Sequence, residues 1–126
     1  MKEYLFVYGK LKHNQANEIS EYLIKHSEFV GEGYVLGKLY NVGEYPGLIP
    51  SSENKEKVFG EIFELNALEI FQTLDKYEEA WPAYPDNAEF KRVVLEVHKN
   101  YKTILCWVYV FNRLPDESKR IISGIF

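Results

Sequence analysis

The sequence predicts an α+β fold built around a curled or barrel-like sheet. Three observations carry this. Aromatic residues make up 16% of the chain, with ten Tyr and eight Phe, a composition that favours strands. Short apolar runs recur, and the later ones are joined by turn residues, as in hairpins. The early strand and helix are not followed by further βα alternation, which a parallel doubly wound sheet would need.

Residues Glu3 to Tyr8 ("EYLFVY") read as a buried strand. From Asn14 to about Phe29, Ile19, Tyr22, Leu23 and His26 recur at helical spacing. Gly31 and Gly33 end that segment and open a strand over "YVLGKLYNV". The stretch "GEYPGLIPSSENKEK", with two prolines and a polar cluster, reads as loop. "VFGEIFEL" alternates as a strand does. A helix then starts with Asn66 as cap, Glu69 three residues on, and Leu65 and Ile70 placed as a hydrophobic staple. "AWPAYPDNA" is a second loop, since Pro82 and Pro85 bar regular structure. "EFKRVVLEVHK" and "KTILCWVYVFN" flank Asn100-Tyr101 as a hairpin, and "LPDESKRIISGIF" holds a short helix before Gly124.

At 126 residues the chain is expected to form a single domain, 1–126, large enough for a real core. The net charge of −4 argues against a nucleic-acid partner, which requires clustered Lys and Arg. No run approaches the roughly 20 apolar residues of a membrane span, and "MKEYLFVYGK" lacks a signal-peptide cleavage site. The only cysteine, Cys106, lies in an apolar run and reads as a small buried hydrophobe. One thiol without an internal partner fits a reducing compartment, so a cytoplasmic protein is expected.

Little of the sequence looks like metal or phosphate chemistry. His13, His26 and His98 are not spaced to share a face as metal ligands. "GEGYVLG" has glycines like those of a phosphate loop, but the third comes one place late and a strand follows where a helix is needed. A turn followed by close strand packing is its better role.

The carboxylates of "LDKYEE" stand apart. On a helix starting after Asn66, Ala67, Leu68, Ile70, Phe71 and Leu74 define an apolar face with Glu78 near its centre. Asp75 and Glu79 fall at the margin. If the helix reaches Glu78, that carboxyl points inward, and desolvation raises it above its reference of about 4.3, towards what a general base needs. If the helix stops at Tyr77, Glu78 meets water or pairs with Arg92.

Together these pieces resemble the gamma-glutamylcyclotransferase-like family. "VYGKLK" is similar to its Tyr-Gly-Thr-Leu-Arg signature, "VLGKLYNVGEYPGL" to its Gly-x-Leu-Tyr and Tyr-Pro-Gly block, and "VFGEIFEL" to a Val-x-Gly-Glu-x-Tyr pattern. "LDKYEE" resembles the Leu-Asp-x-Tyr-Glu block, and "EFKRVVLEV", "CWVYVF" and "ISGIF" follow in order. The resemblance implies a small mixed β-barrel with flanking helices and a pocket at its mouth. It also implies an amide-cleaving cyclotransferase that releases 5-oxoproline and a free amine from a small-molecule gamma-glutamyl substrate. The implied site is Glu78 as acid/base and the Tyr8, Gly9, Lys10, Leu11 loop as cradle for the glutamyl end; no cofactor, metal, nucleic acid or membrane is implied. Lys10 stands where the family usually has Thr, Lys12 replaces Arg, Phe90 replaces a common Tyr, and Glu79 a common Gly. Lys10 and Phe90 are the features that favour the alternative, a non-catalytic small-molecule or protein binding module on the same fold. A related hydrolase using water is a third reading.

Overall fold

The computed structural model describes residues 2–9, 18–43, 45–51, 55–78, 80–82, 85 and 87–126. Strand β1 is Glu3–Val7, helix α1 Glu18–Lys25, β2 Ser27–Asn41, β3 Pro46–Pro50 and β4 Lys57–Leu65. Helix α2 is Ile70–Glu78, followed by β5 Ala80–Trp81, β6 Phe90–Lys99 and β7 Lys102–Phe111. The sheet order is β3-β2-β4-β1-β7-β6-β5, and a further β2–β6 pairing, Tyr34 opposite His98, closes β2, β4, β1, β7 and β6 into a five-stranded barrel. Most pairs are antiparallel, whereas β1–β7 and β5–β6 are parallel. The barrel is mixed, as the resemblance implies.

Two apolar clusters follow from strand alternation. Phe6, Val35, Val58, Ile62, Val97, Cys106 and Val108 fill the barrel. Leu5, Val7, Phe63 and Leu65 point the other way and pack against Ile19 and Leu23 of α1 and Ile70, Phe71 and Leu74 of α2. Burying Leu5, Leu23 and Leu74 completely is worth about 1.5–3 kcal/mol apiece. Both helices therefore lie on one flank, and α2 brings its last residue to the barrel end where β1 stops.

Several boundaries differ from expectation. The first helix ends at Lys25 rather than near Phe29 (residues 14–17 lie outside the described ones). Ser27 Oγ donates to the Leu23 carbonyl, and Phe29 joins β4 edge-on to Phe63. Gly31 and Gly33 do not precede a strand; they lie inside β2, past a bulge at Phe29/Gly31. A Cβ at Gly33 would sit 2.8 Å from the His98 carbonyl oxygen, so glycine lets β2 and β6 approach at the closure. That is the close strand packing foreseen for "GEGYVLG".

Two predicted loops contain strands. Pro46–Pro50 pairs with β2 as an edge strand, where prolines at either end cost no ladder bond that the sheet needs. Ala80–Trp81 adds to β6. Regular α2 starts at Ile70 instead of after Asn66. Residues 67–69 form a turn whose carbonyls accept i→i−3 bonds from Ile70, Phe71 and Gln72. Ala67 and Leu68 are consequently exposed, although Leu65 and Ile70 share one buried cluster as a staple would. The β6–β7 hairpin turns at Asn100-Tyr101 as expected, with Asn100 at φ 57°. The tail holds only a 3₁₀ turn, Glu117–Lys119, capped by Asp116.

Candidate active site

The helix does reach Glu78, which is its last residue and half-buried. Among the described residues its carboxyl has no hydrogen-bond or ion-pair partner. Burial pushes it up from an ordinary 4.5 to about 7, and the negative charge of Asp75 one turn earlier adds to the shift. The Glu78 charge in turn helps hold the hydroxyls of Tyr8, on the β1 side, and Tyr109, on β7, protonated well above the ordinary tyrosine range; burial is the larger cause for both.

Asp75 is more buried than Glu78, at 4% exposure, and fully engaged. Arg92 Nε donates to its Oδ1 at 2.9 Å and Nη2 to its Oδ2 at 3.2 Å, while the Tyr109 hydroxyl donates to Oδ1 at 2.6 Å. The guanidinium packs against two rings that meet edge to face, 4.0 Å from the Phe71 centroid and 4.5 Å from that of Trp107. Trp107 Nε1 donates to Glu3. Sequence periodicity put Asp75 at the helix margin; the structure buries it because Arg92 and Tyr109 meet it there. The pairing of Arg92 with Glu78, one of the two sequence expectations, does not form.

Tyr8 and Gly9, which follow β1, are both buried. The Tyr8 hydroxyl donates to the Tyr109 carbonyl oxygen at 2.5 Å and accepts from the Leu48 amide at 3.2 Å, linking the end of β1 to β7 and β3. That hydroxyl is committed to the fold, which leaves Tyr8 only its main chain to offer a ligand. A Cβ at Gly9 would be 2.8 Å from Pro46 Cγ, so the "YPG" block packs directly on the glycine. Lys10 and Leu11 lie outside the described residues. Glu61, also buried, stands opposite Val7 just before this turn.

Phe90 is buried between the rings of Tyr45 and Phe111. Trp81 of β5 is 44% exposed, and Tyr84 falls outside the described residues. A cavity of about 550 Å³ opens beside Asp75, Arg92 and Trp107, lined also by Phe71, Lys76 and Pro82, and touches neither Glu78 nor Tyr8. Cys106 is buried and its thiol is pushed up to about 12 by desolvation, the inert state expected of it. Among the described residues no group of three His, Cys, Asp or Glu could hold a metal ion, and no helix is long and apolar enough to cross a membrane.

A closed mixed barrel with two helices on one flank is the class of fold that the resemblance implies. A sequence profile for gamma-glutamyl cyclotransferase, AIG2-like proteins matches residues 5–125, and the chain belongs to that family. It is 26% identical over 121 residues to the gamma-glutamylcyclotransferase family protein YtfP of Escherichia coli K12, covering 95% of this chain and 92% of YtfP. An AIG2-like protein from Mus musculus superposes with a TM-score of 0.77 at 24% identity, covering 99% of this chain and 88% of the mouse chain. YkqA from Bacillus subtilis gives 0.75 at 20% identity; all of this chain is covered, but it spans only 40% of YkqA. These two likenesses establish the fold.

Proposed function

We propose that the protein is a gamma-glutamyl cyclotransferase. Family membership supplies the reaction class, and one observation supports it in this chain: Glu78, half-buried, unpartnered and raised to about 7, is suited to exchange protons near neutrality.

The substrate carries its own nucleophile. The α-amine of a gamma-glutamyl group lies at five-ring distance from the δ-carbonyl carbon, so no Ser or Cys is required. Glu78 as carboxylate takes a proton from the α-ammonium; the freed nitrogen pair forms the new C–N bond, and the carbonyl π pair moves to oxygen. As the carbonyl re-forms, the old C–N bond breaks, Glu78, now the acid, gives its proton to the departing nitrogen, and the second proton of the ring nitrogen passes to the freed amine, which leaves as an ammonium. The products are 5-oxoproline and a free amine. One group serves both transfers, typically for about 10²–10⁴-fold, and holding the substrate folded adds to that. In this reading main-chain N–H groups of Gly9, Lys10 and Leu11 receive the substrate α-carboxylate and the developing oxyanion. Gly9 suits the role because any side chain there would strike Pro46.

The test is to incubate the protein with a panel of gamma-glutamyl amines and peptides and measure 5-oxoproline. Release by the native chain, lost in a folded Glu78→Gln variant, supports the proposal. Binding without turnover would point to the non-catalytic module that Lys10 and Phe90 favour, and glutamate as product to a hydrolase.

A further inference from the structure

Among the described residues Glu78 has no hydrogen-bond or ion-pair partner, and what holds the last turn of α2 bears on its position. Asp75 stands one turn earlier on the same face, so the pair shares one direction from the helix axis. It receives three hydrogen bonds from two strands of the barrel: two from Arg92 on β6 and one from Tyr109 on β7. These donors are themselves cross-strand partners, Arg92 directly opposite Tyr109. Arg92 is immobilised further by the Phe71 and Trp107 rings packed against it. The other end of Tyr109 matters equally, because its main-chain oxygen takes the Tyr8 hydroxyl. One residue therefore fastens α2 through its side chain and the Tyr8–Gly9 turn through its backbone.

We propose that Asp75, held by Arg92 and Tyr109, is a positioning residue that registers Glu78 against the Tyr8–Gly9 turn. This rests on the cyclotransferase reading above for its catalytic meaning, though the geometry it describes does not. Among the described residues, the charged and titratable groups facing Glu78 are Asp75 and Tyr77 from its own helix, Tyr8 beyond β1, and Tyr109 on β7, with Arg92 of β6 behind Asp75. Four of these five are neutral or negative near pH 7, and Arg92, the one cation, is taken up by Asp75. Removing the Asp75 charge takes away a repulsion and leaves Arg92 unneutralised, and both changes favour the ionised form of Glu78.

Two variants test this: Asp75→Asn, which keeps shape and loses charge, and Tyr109→Phe, which loses only the hydroxyl. Two readouts apply to each. Carbon-13 NMR of the Glu78 carboxyl reports its ionisation without any need for turnover, and kcat and KM for 5-oxoproline release are followed against pH. In Asp75→Asn the Glu78 midpoint is expected about one pH unit lower, with the acid limb of kcat/KM moving down alongside it. With the helix turn loosened, kcat falls about 10- to 100-fold while KM changes far less. Tyr109→Phe gives a smaller fall in kcat, and it carries the test if Asp75→Asn does not fold. The proposal is overturned if the variants melt at lower temperature yet keep the native Glu78 titration and native kcat, because Asp75 is then a stabilising residue alone. If the native protein releases no 5-oxoproline from any substrate, the cyclotransferase reading fails, and the carboxyl titration still decides whether Asp75 governs Glu78.

Discussion

Two arginine networks in this molecule use the same parts to different ends. At the α2 flank, Arg92 meets Asp75 and Tyr109 and lies against aromatic rings; side-chain exposure is 12% for the arginine and 5% for the aspartate. Towards the end of the sequence, Arg120 meets Glu56 and Glu117, and Tyr40 donates its hydroxyl to Glu117. There the arginine is 16% exposed but Glu56 is 39% and Glu117 67% exposed. Arg92 spends two donors on a single carboxylate; Arg120 divides its donors between two, and its Nε is buried without a partner. The second network straps the segment after β7 onto β2, beside the Ile121 amide bond to Leu39. The first stands behind an unpartnered glutamate. The contrast teaches that an ion pair bears on chemistry here through what it leaves unsatisfied next door.

The sharpest way to break this comparison is to neutralise the unpartnered acid. Glu78→Gln is expected to reduce 5-oxoproline release about 10²–10⁴-fold with the fold intact by circular dichroism. Retained activity would remove Glu78 from the mechanism. Next come the arginines themselves. Arg92→Ala strands a buried carboxylate and should cost about 3–5 kcal/mol in urea unfolding. Arg120→Ala, whose partners reach solvent, should cost about 1 kcal/mol or less. Equal losses would mean that burial is not what separates the two networks.

A subtler effect sharpens the role of Glu78. Its folded-state value lies above the ordinary carboxyl value, so the folded protein binds the proton more tightly than the unfolded chain. The native chain thus pays in stability as pH rises from about 4.5 through about 7. Glu78→Gln should then be more stable than the native protein at pH 8, by about 1–3 kcal/mol, and no different at pH 4. Matching melting curves at both pH values would contradict a desolvated carboxyl. The smallest effect on activity is expected at Cys106, in the barrel interior. Cys106→Ala should lower stability by about 1 kcal/mol and leave 5-oxoproline release unchanged. A native thiol that reacts readily with iodoacetamide at pH 7.5 would refute its burial.

Much of this was legible in the residues. The hairpin turn at Asn100-Tyr101 fixes the register of β6 on β7, and that register alone sets Arg92 opposite Tyr109. Counting outward from the turn could therefore have found both groups that hold Asp75. Asp75 itself was hidden because helical periodicity sorts residues by apolarity, and an acid buried by its partners looks like one at the margin. The strand Pro46–Pro50 was hidden for a related reason: prolines read as loop unless the strand is known to be an edge. Glu78 was found because it broke an apolar face. Gly9 was read as part of a substrate cradle, and its contact with Pro46 joins positions distant in sequence, which no local pattern reports.

The parallel seam between β1 and β7 has a consequence for biosynthesis. The Tyr8 hydroxyl and the Tyr109 carbonyl are 101 positions apart, and Leu5 is paired with Trp107. A nascent polypeptide must therefore expose one margin of β1 until β7 has left the ribosome. Such long-range closure makes for slow maturation, on the order of milliseconds to seconds. During that interval the unpaired margin is the place where a chaperone, or a neighbouring copy emerging from the same message, would attach.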